Sequence, residues 1–143
     1  MQIPEIDIHP LSMQEVLDRV WDHFVTRGQP LSYYQAPLFN YQQEPCGCLY
    51  RHPEQDGVCC AIGLFLTDEM YDPGFEGDDI ETVARDNYEI GALFERCAKP
   101  FLMDLQDWHD KLVSYDTPAR REATLFVLAN TWGLAVPVEQ FGA

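Results

Sequence analysis

The chain has 143 residues, 46% of them hydrophobic, and sets 24 Asp and Glu against 9 Lys and Arg, for a formal charge of −15. That length suits one domain able to bury roughly 68–70% of its unfolded surface, so folding needs neither disulfide nor metal, and the apolar fraction argues against disorder. The charge opposes direct nucleic-acid binding and anionic membranes and favours basic protein surfaces.

No apolar run approaches the ~18–20 residues of a membrane span. The opening Met1-Gln2-Ile3-Pro4-Glu5 carries neither the basic nor the apolar segment of a signal peptide. The five cysteines are an odd number, as expected of thiols kept reduced. Together these features predict a cytoplasmic protein.

The first helix is expected from Met13 to Arg27. Ser12 and Glu15 stand three apart as a capping box, Gly28 is placed to end the helix, and Val16, Leu17, Val20, Trp21, Phe24 and Val25 recur on one face. From Gln29 to Pro45 the helical period is lost. Tyr33, Tyr34, Phe39 and Tyr41 sit among three prolines there, in a long loop suited either to an interface or to covering a core edge.

Residues 46–51 and those around Val58 flank a turn-rich stretch and predict one short β-hairpin or a pair of extended segments. The run from Cys60 to Met70 reads as a buried helix in which Gly63 marks a close backbone approach. Asp72-Pro73-Gly74 has the chemistry of a type II turn. Asp78 and Glu81 form a second capping-box pattern opening a helix to about Asn87, and Glu89–Ala98 reads as another. Pro100 suits the first turn of a longer helix reaching residue 113 or 114. Thr117-Pro118 opens the last, which runs to Trp132 with Gly133 at its end, and an apolar tail from Leu134 to Phe141 is expected to fold back. The fold expected is mainly α (α+β), a single domain over residues 1–143 with five to six helices and one β-hairpin.

Four spaced pieces then stand in order. They are Cys48-x-Tyr50-Arg51, Gly57-x-x-Cys60-Ala61-x-Gly63, Asp68-x-x-Tyr71-x-Pro73-x-x-Glu76-Gly77, and Leu105-Gln106-x-x-His109-Asp110. Over residues 48–110 the chain resembles a family of small acidic proteins encoded by bacteriophages and prophages. The resemblance implies a setting, a bacterial host cell, and no mechanism. The aromatic loop before Cys46 departs from the family pattern.

Three constellations carry chemical possibilities. Between Asp68 and Glu81 lie seven carboxylates (Asp68, Glu69, Asp72, Glu76, Asp78, Asp79, Glu81), and His52–Ala84 contains no Lys or Arg. Duplex DNA bears one charge per about 1.7 Å, and a protein imitating it must crowd carboxylates in this way. Tyr71, Phe75, Tyr33 and Tyr34 could anchor contacts amid that charge. Simple solubility accounts for the same acids. The expected partner is a host protein with a basic surface, and the expected function is inhibition or modulation of it. A counter-defence inhibitor of the anti-CRISPR or anti-restriction kind is the most concrete form.

The second constellation pairs Cys60, near an expected helix N-terminus, with His109, as in a small cysteine hydrolase. Gln106 could orient the imidazole, whereas Asp110 is its immediate helical neighbour and points about 100° away. The same His109 falls on the apolar stripe of Leu102, Leu105 and Leu112, as a core-edge residue would. The third is Cys46-x-Cys48-x3-His52 with Cys59, four donors whose first spacing is one residue short of the usual zinc pattern. Reduced, buried cysteines explain these residues equally. No cofactor is expected, since no nucleotide-binding motif is present. A nucleotide-sequestering reading would need homo-oligomer assembly, because the bases are two lysines and seven scattered arginines.

Overall fold

A computed structural model describes residues 8–34 and 47–137, the side chains of Tyr34 and Cys48 excepted. Among the described residues the chain is helical with almost no strand. Helix α1 spans Met13–Val20, α2 Ile80–Asp86, α3 Tyr88–Leu93, α4 Lys99–Leu112 and α5 Pro118–Thr131.

The start of α1 forms as expected. Ser12 Oγ accepts from Glu15 N and Glu15 Oε1 accepts from Ser12 N, both at 3.0 Å. After Val20 the helix widens into a π turn, Trp21–Thr26, closed by Arg27 N donating to Asp22 O at 2.9 Å. The extra residue per turn resets the face the chain presents, and Val20, Trp21 and Phe24 are all fully buried. Gly28 ends the element at φ +62°, a left-handed conformation that costs an L side chain about 1–2 kcal/mol.

The expected hairpin is not seen. Residues 50–60 meet across a single antiparallel bridge, Arg51 to Cys59, with His52 N donating to Val58 O at 2.9 Å. The strand pairing among the described residues lies elsewhere. β1, Tyr33–Tyr34, runs antiparallel to β2, Gly47–Cys48, and ties the entry and exit of the aromatic loop together.

The helix expected over Cys60–Met70 is also replaced, by one 3-10 turn, Gly63–Phe65. Its backbone groups are drawn into tertiary bonds. Cys60 N donates to Tyr50 O, and Leu66 O accepts from Arg51 Nη2 at 2.9 Å. Gly63 does mark a close approach, for a Cβ placed there would lie 2.0 Å from Tyr50 O.

Asp72-Pro73-Gly74 opens a 3-10 turn, Pro73–Phe75, rather than a type II turn. Asp72 Oδ1 accepts from Gly74 N at 2.8 Å, and Gly74 lacks the positive φ a type II turn requires. The cap of α2 is Asp79 rather than Asp78. Its Oδ1 accepts from Thr82 N at 2.8 Å, and this register puts Thr82, not a glutamate, at the reciprocal position. Helix α3 stops at Leu93, short of the expected Ala98.

Pro100 and Thr117-Pro118 open α4 and α5 as their chemistry predicts, with Thr117 accepting from Arg120 N. Helix α2 packs on α3 and α4, while α5 packs on α4 and on the π turn. One core joins Leu17, Trp21, Phe24, Ile62, Ile80, Phe101, Leu105 and Leu125. Trp108 Nε1 donates to Thr124 Oγ1 and Trp132 Nε1 to Asp104 Oδ2, both at 2.8 Å, stitching α4 to α5 and its end.

The tail folds back as far as it is described. Gln14 exchanges two bonds with Ala135, its Nε2 donating to the carbonyl at 2.8 Å and its Oε1 accepting from the amide at 2.9 Å. No helix among the described residues is long and apolar enough to cross a membrane.

Candidate functional site

The acidic segment is held from beneath by α4. Gln106 Oε1 accepts from Ile80 N at 2.9 Å and its Nε2 donates to Tyr50 OH at 3.0 Å, while Tyr50 OH donates to Asp78 O at 2.7 Å. The start of α2 and the loop before it are thereby pinned to the core. Gln106 is committed to this relay and does not orient His109.

On that support, Asp68, Glu69, Asp72, Asp78, Asp79 and Glu81 are exposed. Asp72 and Asp79 also fix their own backbone, through the bonds to Gly74 and Thr82. Asp68 lies 2.8 Å from Arg51 Nη1 with its side chain 97% exposed, and such a surface pair contributes only about 0–1 kcal/mol.

Glu76 differs from the other six. It is half-buried, its Oε1 accepts from Tyr50 N at 2.9 Å, and its Oε2 accepts from Arg51 N at 3.2 Å and from Tyr71 OH at 2.5 Å. Its carboxylate is consumed by its own chain. Phe75 is buried at 8% exposure, Tyr71 is half-buried, and Tyr33 is 45% exposed on β1. Burial, then the bond to Glu76, pushes the Tyr71 hydroxyl above its ordinary range.

The cations are spent differently from the acids. Arg27, Arg51, Arg85 and Arg121 each pair with an aspartate (Asp22, Asp68, Asp86 and Asp116) at 2.8–3.0 Å. Arg19 lies 4.8 Å from the Phe65 ring centroid and Arg120 5.1 Å from that of Tyr115. These six of the seven arginines are engaged locally, whereas most of the acids between residues 68 and 81 face solvent without an ion pair among the described residues.

The cysteine and histidine are both committed to structure. Cys60 is 4% exposed and its Sγ accepts from Gly63 N at 3.3 Å. Burial raises this thiol far above the free value, and the single 3-10 turn that follows supplies no helix dipole to oppose it. Cys59 is pushed up to about 11 by the same cause.

His109 is fully buried, and its Nε2 accepts from Ser32 N at 3.0 Å, so the proton sits on Nδ1, 3.2 Å from Asp110 Oδ1. Asp110 thus reaches the imidazole despite being its immediate neighbour in the helix, its carboxylate half-exposed. The ring latches Ser32, the residue before β1, to α4. Iodoacetamide at pH 8 is accordingly expected to label the Cys59-Cys60 peptide at least about tenfold more slowly than free cysteine, one decade per unit of pKa. Labelling as fast as free cysteine would restore a nucleophile.

Of the four zinc donors, Cys46 and the side chain of Cys48 lie outside the described residues. His52 Nδ1 accepts from Glu54 N at 3.1 Å, and no group of three or more metal-binding side chains assembles among the described residues.

Sequence reasoning missed Tyr88. It opens α3 at 79% exposure, while Ile90 and Leu93 of the same helix are buried. Its place off the apolar stripe was the available signal. No family model, no curated protein and no solved structure matches the chain.

Proposed function

We propose that this chain is a binding protein that inhibits or modulates a host macromolecule by laying an acidic face against a basic, nucleic-acid-binding surface. Its most concrete form is a counter-defence inhibitor, of the anti-CRISPR or anti-restriction kind, acting in the cytoplasm of a bacterial host. The supporting observation is the asymmetry of charge use. Six of seven carboxylates between Asp68 and Glu81 are exposed, and only Asp68 among them holds an ion pair among the described residues. The carboxylates supply the field of a phosphate backbone, and the resemblance over residues 48–110 supplies the setting.

The test is capture of a basic partner by immobilised protein from host lysate. Raising salt from about 0.1 M to about 1 M shortens the screening length from about 10 Å to about 3 Å. Capture is expected to fall steeply over that range and to be competed by duplex DNA. The double variant Asp78→Lys, Glu81→Lys is expected to weaken it at least tenfold with unchanged circular dichroism, since both side chains are exposed. Capture indifferent to salt and to this variant would remove the electrostatic reading.

A further inference from the structure

Beside the acidic segment, the 3-10 turn at residues 73–75 and the start of α3 enclose a groove of about 420 Å³, within the roughly 300–1,000 Å³ typical of ligand sites. Its walls include Tyr71, Phe75 and Tyr88, with the carboxylates of Glu69, Asp72 and Glu89, and none of its described lining residues is basic. We infer that this groove receives an arginine side chain of the basic partner, its guanidinium stacked on Tyr88 and neutralised by the surrounding carboxylates. The inference rests on the acidic-face reading for the partner's character and on the groove's own chemistry for the ligand.

Three observations carry it. Tyr88 leaves 79% of its surface in water at the groove wall, where a tyrosine gives contact area at little entropic cost. The charge of the lining is wholly negative, which selects a cation.

The third observation is that the chain already holds one guanidinium by this chemistry a short way off. Arg51 lies 4.6 Å from the Tyr71 ring centroid and 2.8 Å from Asp68. Arg51 itself lines a neighbouring hollow with His52 and Cys59, and leaves the groove unfilled. A planar guanidinium combines stacking with forked donation to carboxylate, whereas an ammonium is a compact, strongly hydrated charge. This favours arginine over lysine.

The test is titration of the isotope-labelled whole chain with N-acetyl-argininamide at low salt, read by amide chemical shifts. Shifts are expected to concentrate on residues 69–72 and 87–90 and to saturate in the millimolar range. Tyr88→Ala is expected to weaken binding at least fivefold and Tyr88→Phe to restore it, both with unchanged circular dichroism. Shifts scattered over the acidic surface, a Tyr88→Ala protein that binds as before, or equal binding of N-acetyl-lysinamide would each overturn the assignment.

The Asp78→Lys, Glu81→Lys variant separates the two proposals, since neither residue lines the groove. It is expected to bind argininamide normally while losing partner capture. Localised argininamide binding without any partner capture would remove the acidic-face reading and leave the groove standing. Salt-sensitive capture undiminished by Tyr88→Ala would do the reverse.

Discussion

Arg121→Ala is expected to lower stability by about 2–4 kcal/mol, chiefly from two main-chain carbonyls that lose a charged donor, since the partner Asp116 is itself exposed. Arg121 is 7% exposed and every guanidinium nitrogen is occupied. Nε and Nη2 fork onto the two oxygens of Asp116, each at 2.8 Å, and Nη1 donates to Phe24 O at 2.9 Å and Gln29 O at 2.6 Å. Phe24 O and Gln29 O lie at and just beyond the end of the π turn, where carbonyls lose their helical partners. One side chain of α5 thus satisfies the end of the first helical segment and the start of the aromatic loop.

Arg121→Lys is expected to recover less than half of the loss, because an ammonium cannot span a carboxylate and two carbonyls in a fixed fork. Urea titration followed by circular dichroism measures both variants, and a loss under about 1 kcal/mol for Arg121→Ala would refute the account. The bond from Arg121 holds the Asp116 carboxyl below its ordinary 3.8. With the folded value depressed, this contribution is complete above the unfolded value and fades as pH falls through the folded one. Arg121→Ala should therefore lose less stability than the parent on acidification through that window.

Gly63→Ala is expected to be as severe or worse, with a loss of at least about 4 kcal/mol or no folded protein at all. The added Cβ would lie 2.0 Å from Tyr50 O, 2.8 Å from Tyr50 C and 3.0 Å from Tyr50 Cα. All three are backbone atoms, so no rotamer change relieves the contact. Tyr50 is itself tied by its amide to Glu76 and by its hydroxyl to Asp78 and Gln106. Gly57→Ala is the control. Gly57 has φ +79°, and a methyl group added there would meet nothing within 4 Å, so it should lose only the left-handed cost of about 1–2 kcal/mol. Equal urea midpoints for the two variants would show that residues 50 and 63 do not press together.

Helix ends were the legible part of the fold because a cap is settled by a few neighbouring residues. Ser12 with Glu15, Thr117 with Pro118, and the glycines at 28 and 133 act within one turn of chain, and each works where its sequence places it. Asp78 and Asp79 are adjacent candidates for one cap. The choice fell to Asp79 because Gln106 and Tyr50, from elsewhere in the chain, hold Ile80 N and Asp78 O.

The stretch after Cys60 misled for the same reason. Its apolar content suits a helix, yet Tyr50 and Arg51 claim its amide and carbonyl groups. The acidic segment was visible as composition. That Glu76 turns inward while its neighbours stay in water depends on Tyr50, Arg51 and Tyr71 converging on it, which no spacing rule conveys. The groove at Tyr88 joins residues 69–75 to residues 87–90 and exists only once α3 is placed.

The relay from Ile80 through Gln106 and Tyr50 to Asp78 has a consequence for association. A surface that must be ordered on contact gives up affinity, about 0.5–1.5 kcal/mol for each side chain immobilised. Here the main chain carrying Asp78 to Glu81 is already fastened to α4, and the Asp72 and Asp79 carboxylates already accept from the amides of Gly74 and Thr82. The carboxylates of Asp72 and Asp79 are therefore set in place before any partner arrives. A partner would meet a main chain already shaped, and the ordering cost left to its contacts would be that of the remaining free side chains.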